Sequence, residues 1–165
     1  MTSTSSVPSQ RSLHLLDLEN LVGDPRADEQ LVRDTLARYL RVARWRPGDH
    51  VIIASNPCLM HHVVFAPPVP WNAHATCGPD GADLMLLSLA PPELVARCYD
   101  RLVIGSGDHI FAARAHTARD LGVEILVVAR AGGCSSRLRV FPHVLLFAPE
   151  PTPDPDPDPP LVLAA

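Results

Sequence analysis

Leu102-Val103-Ile104-Gly105-Ser106-Gly107-Asp108 is the stretch on which the fold turns. A short apolar run ends in two glycines and a carboxylate, which is how a buried strand leaves a sheet and turns into a helix. Outward on one side, Ile110 to Leu121 reads as that helix, closed by Gly122, and Val123–Val128 is the next apolar strand. A strand, a helix and a second strand in so few residues make a βαβ unit, and such a unit pairs its strands in parallel.

The same alternation continues through the rest of the chain. Leu13–Leu16 is an apolar run ending in Asp17, and Val51–Ala54 is a second strand. Between them, Leu31, Val32, Leu36, Tyr39, Leu40 and Ala43 give helical spacing over Glu29 to Trp45, with Asp28 as N-cap. A short helix is expected over Pro57 to Val64, a loop over the Pro-rich 67–70 and a third strand over Trp71–Thr76. Helices are expected at Asp83 to Leu89 and Pro92 to Tyr99, since proline suits a first helical turn. A Gly-rich, Arg-bearing loop spans 130–139 before a final strand at Val144–Phe147. The predicted architecture is an α/β domain with a mostly parallel sheet and helices on both faces.

Such sheets place working residues beyond the carboxyl ends of their strands. Asp17 and Asp108 both follow strand ends, and Asp83 stands where a loop becomes a helix near the same edge. Neighbouring strands lie about 5 Å apart, so these carboxylates are expected to share one cavity. Each taken singly has a plainer role as a turn or helix cap. Together they repel one another, so they need a cation or a proton, and oxygen-only ligands favour Mg²⁺ or Mn²⁺.

The length of 165 residues suits one domain, and 47% hydrophobic with 5% aromatic residues implies an aliphatic core. The expected boundaries are a polar tail at 1–11, the domain at 12–148 and a Pro/Asp-rich tail at 149–165. Alternating proline makes that second tail an extended spacer. Its Glu150, Asp154, Asp156 and Asp158 equal the whole formal charge of −4, leaving the domain near neutral. All 14 basic residues are Arg; forked guanidinium groups suit phosphate, although coding bias is the simpler account of most of them. No apolar run approaches the ~20 residues of a membrane span, and no secretory leader is readable, which leaves a cytoplasmic location by default. Cys58, Cys77, Cys98 and Cys134 show no zinc spacing and are expected to be buried small apolar residues. His61 and His62 are adjacent and point apart, so a shared metal is not expected. Trp71 reads as a lid on the core before it reads as a base-stacking platform.

Three motifs in order resemble the NYN domain family of PIN-like nucleases. Leu15-Leu16-Asp17-Leu18-Glu19-Asn20-Leu21 resembles that family's opening Asp-x-x-Asn motif. Gly81-Ala82-Asp83-Leu84 resembles its Gly-Ala-Asp-hydrophobic motif, and Ser106-Gly107-Asp108-His109-Ile110-Phe111 its Ser-Gly-Asp-x-Asp-Phe motif. Ala115-x-x-Ala118-x-x-Leu121-Gly122-x-x-Ile125 and then Ser135-Ser136-x-Leu138-Arg139 fit the usual continuation, so the likeness covers roughly 12–148. It implies a Rossmann-like, three-layer α/β/α PIN-like fold and a metal-dependent endoribonuclease. In that reading Asp17, Asp83 and Asp108 hold Mg²⁺ or Mn²⁺ and carry catalysis on RNA. Asn20 and Ser106 steady the site, and Arg130, Arg137 and Arg139 contact the RNA backbone. The chain departs at Ile110, where the family has a second acid, which puts turnover in doubt more than fold. A weakened RNA-binding or regulatory relative is the rival, and an interaction module recruiting a protein through the Pro/Asp tail is a third reading. The sequence leaves a homodimer open.

Overall fold

The computed structural model describes residues 10–146, so the tail expectations for 1–9 and 147–165, Phe147 included, lie outside the described residues. Six strands form one sheet: β1 (Ser12–Asp17), β2 (His50–Ser55), β3 (Trp71–Ala75), β4 (Arg101–Gly105), β5 (Glu124–Arg130) and β6 (His143–Leu146). Their order is β3-β2-β1-β4-β5-β6, and every pairing is parallel. The expectation of a mostly parallel sheet is met in full. This is the classic doubly wound order, in which the winding reverses between the first and fourth strands. Asp17 therefore ends β1 at the reversal, beside the Gly105 end of β4.

Alternation along each strand builds two cores. Leu13 and Leu15 of β1, Ile52 and Ala54 of β2, and Leu102 and Ile104 of β4 face one side. They meet α4 (Gly81–Leu89), α5 (Pro92–Cys98) and α6 (Ala112–Asp120). Leu16, Val51, Ile53, Val103 and Val128 face the other side, against α1 (Leu18–Val22), α2 (Glu29–Val42) and α3 (Pro57–Val63). The result is the three-layer, Rossmann-like α/β/α arrangement. The buried face of α6 is Ala112, Ala115 and Ala118, small residues that let the helix lie close to the sheet. Asp28 caps α2 as expected, accepting from the Leu31 N–H at 2.9 Å.

Several details depart from the sequence reading. The helix expected from Ile110 begins as a 3₁₀ turn at His109–Phe111 and becomes α-helical only at Ala112. α1 had no expectation; it is a single turn started by Asp17, too short to leave a periodic signal. The buried cysteines are a correction: Cys58, Cys77 and Cys98 are exposed, Cys134 is half-buried, and all are free thiols. Cys58 falls outside the Leu59 and Val63 face of α3, Cys98 ends α5, and Cys77 sits in the loop before α4. Trp71 is a core lid, its Nε1 donating to the Pro67 carbonyl at 3.1 Å. Among the described residues, no helix is long and apolar enough to cross a membrane.

Candidate functional site

Asp17 is placed by two roles at once. As the last residue of β1 it stands at the sheet edge, and as N-cap of α1 its Oδ1 accepts from the Asn20 N–H at 3.2 Å. Its Oδ2 accepts from the Ser106 hydroxyl at 3.2 Å, and that oxygen accepts in turn from the Asp108 N–H at 3.1 Å. Asn20 reaches the same turn, its Oδ1 accepting from the Gly107 N–H at 2.8 Å. The β1 and β4 carboxyl ends are thus tied together by Asn20 and Ser106. The sequence expected both residues to steady the site, and both lie where such a role is available.

Asp83, in the first turn of α4, is 7% exposed, and Asp17 is 6% exposed. The two carboxyls lie within hydrogen-bonding reach of each other. Burial first, then the Asp17 charge beside it, then Asp108 and Asp80 push the Asp83 carboxyl up to about 7. Asp17 is also raised, chiefly by burial, and is held back by its bonds to the Asn20 N–H, Asp83 and Ser106. Both shifts favour a protonated carboxyl in the pair, as expected for two close carboxyls without a cation between them. Asp83 Oδ1 is buried with no donor.

Asp108 is a third exposed. Its Oδ1 accepts from the Ile110 N–H at 2.9 Å and meets His109 Nδ1 at 2.9 Å, leaving Oδ2 outside these bonds. It caps the turn that follows and also acts on Asp83 by charge. A cleft of about 380 Å³ opens over the pair, lined by Asp17, Glu19, Asn20, Gly23, Asp80 and Asp83 among others. Asp108, expected to share this cavity, does not line it, because its carboxylate is turned to cap the Ile110 N–H and meet His109.

Two acids at this cleft were missed in the sequence. Glu19 stands inside a quoted motif, but its Oε1 is committed to the Asn56 N–H at 2.9 Å. Asp80 sits in the Gly78–Gly81 turn with φ of 54°, its side chain making no cap bond. The readable signal was the turn composition itself, which did not say which way Asp80 would face.

Of the three arginines, Arg130 lies against Gly23, a residue of the cleft wall, without lining the cleft itself. It ends β5, and its guanidinium lies over Gly23, so closely that a Cβ on Gly23 would overlap it. Arg137 lines a separate groove with His109 and His116. Arg139 is exposed near Cys134 and lines neither. Ile110 also faces the groove and the first core, away from the carboxylates.

No family model matches the chain, and no curated protein does. A crystal structure of a protein of unknown function from Vibrio parahaemolyticus is similar, with a TM-score of 0.57 and 16% identity. The alignment covers 87% of this chain and 96% of that one. At that identity the likeness speaks for the fold alone.

The donor set suits a hard divalent cation in its chemistry. It offers carboxylate oxygens, one of them buried and unpartnered, in a pair whose full ionisation a nearby cation would favour. Among the described residues, however, no group of three or more His, Cys, Asp or Glu side chains is arranged to hold a metal ion. Mg²⁺ commonly binds through one or two carboxylates and completes its shell with water and substrate oxygens. Asp17 and Asp83 would be the residues to supply carboxylates in that mode.

Proposed function

We propose that the chain is a divalent-metal-dependent endoribonuclease of the NYN, PIN-like type, hydrolysing RNA phosphodiester bonds at the acidic cleft. The observation that carries this reading is the Asp17–Asp83 pair, buried in contact at the sheet's winding reversal with an unpartnered oxygen beneath an open cleft. A pair of buried, mutually repelling carboxyls costs stability and is kept where a site needs it.

Asp17 and Asp83 would hold the ion, Mg²⁺ or Mn²⁺. When bound, such an ion lowers the pKa of water and neutralises charge developing on a phosphate. Ser106 and the Asn20 N–H fix the Asp17 carboxyl in orientation. Asp108, through Oδ2, takes the proton of an attacking water. The water oxygen bonds to phosphorus, the ester oxygen leaves, and it takes a proton from solvent in the open cleft. Arg130 offers its guanidinium to a non-bridging phosphate oxygen at the cleft rim.

The test is cleavage of mixed-sequence RNA and single-stranded DNA with Mn²⁺ or Mg²⁺, comparing wild type with Asp17→Asn and Asp108→Asn. Metal-dependent cutting by wild type and its loss in both variants are expected. No cutting by wild type overturns the enzyme reading. Ile110 and the absence of a three-ligand group among the described residues favour the second reading, a weakened relative that binds RNA without cutting it. Retained RNA affinity without cleavage is its signature.

A further inference from the structure

Beside the acidic cleft, past Asp108, lies a second groove of about 600 Å³. His109, His116 and Arg137 supply its polar wall, Ile110 and Val140 its apolar floor, and no carboxylate of the described residues lines it. Val140 is 65% exposed. Arg137 is exposed and makes no hydrogen bond or ion pair among the described residues.

The groove is joined to the cleft by construction. His109, on its wall, contacts the Asp108 carboxylate directly. The loop after β5 is pinned to the turn carrying Asp108. The Ser135 N–H donates to the Gly107 carbonyl at 2.9 Å, and a Cβ on Gly107 would overlap the Gly133 carbonyl. That loop leaves β5 at Arg130, against Gly23 of the cleft wall, and reaches Arg137, over the groove. A single rigid bracket therefore carries one arginine to each side of Asp108.

Resting on the nuclease reading, we propose that this groove is the track for the single-stranded backbone flanking the scissile phosphate. Arg137 and His116 contact phosphates there, while Ile110 and Val140 pack against sugar and base faces. The Arg137 cation, with no carboxylate beside it among the described residues, favours an anionic strand, and the His109–Asp108 contact sets that strand next to the acidic residues. No Phe, Tyr or Trp side chain lines the groove among the described residues, and its polar groups suit phosphate contacts, which position a strand without reading its base sequence. The place of Ile110 then has a use: an acid there would face the phosphate track.

The test is fluorescence anisotropy of a labelled single-stranded RNA on the full chain in EDTA, across a salt series, with the deoxy strand in parallel. Arg137→Glu and Val140→Asp each place a carboxylate in the groove at exposed positions. Arg33→Glu, on the far side of the molecule in α2, makes the same charge change outside it. Roughly tenfold weaker RNA binding is expected for the two groove variants, with the salt slope of Arg137→Glu shallower by about 0.7 for the lost phosphate contact. Arg33→Glu is expected to bind as wild type. Equal binding of the deoxy strand supports a backbone track, and preference for RNA supports one that also reads the 2′-hydroxyl. Wild-type affinity in both groove variants, or equal weakening by Arg33→Glu, overturns the proposal. If wild type cuts RNA while the groove variants bind normally, the track fails and the nuclease stands. If nothing is cut but the groove variants lose RNA, the nuclease fails and the groove stands as a binding site.

Discussion

Asp83→Asn is expected to stabilise the metal-free protein, and the gain is expected to grow with pH. Lifting an Asp from 3.8 to about 7 sets roughly 4 kcal/mol against its ionised form, at about 1.36 kcal/mol per pH unit. That figure is a ceiling, because solvent reaching the cleft and relaxation of the pair both lower it. The sign follows from proton counting. The folded state holds the proton between 3.8 and about 7 while the unfolded chain has lost it. Wild-type stability from this group is therefore fully present below 3.8 and is lost as pH rises through about 7. An amide of the same shape carries no charge at any pH and can donate to Asp17. The assay is urea denaturation in EDTA at about pH 4 and about pH 8, comparing wild type with the variant at each. The comparison cancels the titrating groups that do not touch Asp83, leaving the Asp17–Asp83 pair. The variant's advantage at high pH should exceed that at low pH by about 1–3 kcal/mol. An advantage that is absent or independent of pH would falsify the picture of two carboxyls in buried contact.

Further outcomes follow from the same geometry. Gly107→Ala drives a Cβ into the Gly133 backbone, which cannot swing aside as a side chain could, so a loss of about 1–3 kcal/mol is expected in urea; wild-type stability would refute the pinned loop. Ser106→Ala removes both the donor to Asp17 and the acceptor for the Asp108 N–H. We expect a loss of roughly 1–2 kcal/mol and a fall in metal-dependent cleavage, read by denaturation and RNA turnover. His14 is buried between Tyr39, at 2.9 Å, and Asp49, and burial, opposed by the Asp49 charge, lowers it from 6.5 to about 4. Its NMR titration should therefore fall near about 4, and the stability it contributes is lost as pH drops through that window. Mn²⁺ at a hundredfold excess over Kd should raise the unfolding free energy of wild type by about 2.7 kcal/mol, read in urea, and that of Asp83→Asn by less.

The elements of this fold were legible because each satisfies a local rule. The six apolar runs became six strands, and Asp28, Gly122 and Pro57 marked helix ends where a cap, a left-handed residue and a first-turn proline belong. What escaped was decided by neighbours. α1 is one turn held by Asp17, and the 3₁₀ turn at His109–Phe111 follows from the Asp108 cap. Cys58, Cys77 and Cys98 were misjudged because residue type predicts average burial, not the face on which a given residue falls.

The candidate site divides along the same line. Sequence alone determined that Asp17 ends one strand of an α/β sheet and that Asp108 follows the end of another, because strand ends and glycine turns are local. It also determined Asp83's place at a helix start. Tertiary structure alone decided that Asp83 meets Asp17 closely enough to share a proton, and that Asp80 joins their cleft. It alone separated Arg130, Arg137 and Arg139, and turned Ile110 toward the groove instead of the carboxylates. The physical reason is that strand order and loop packing fix which side chains share a low-dielectric space. Neither is written in the spacing of any one segment.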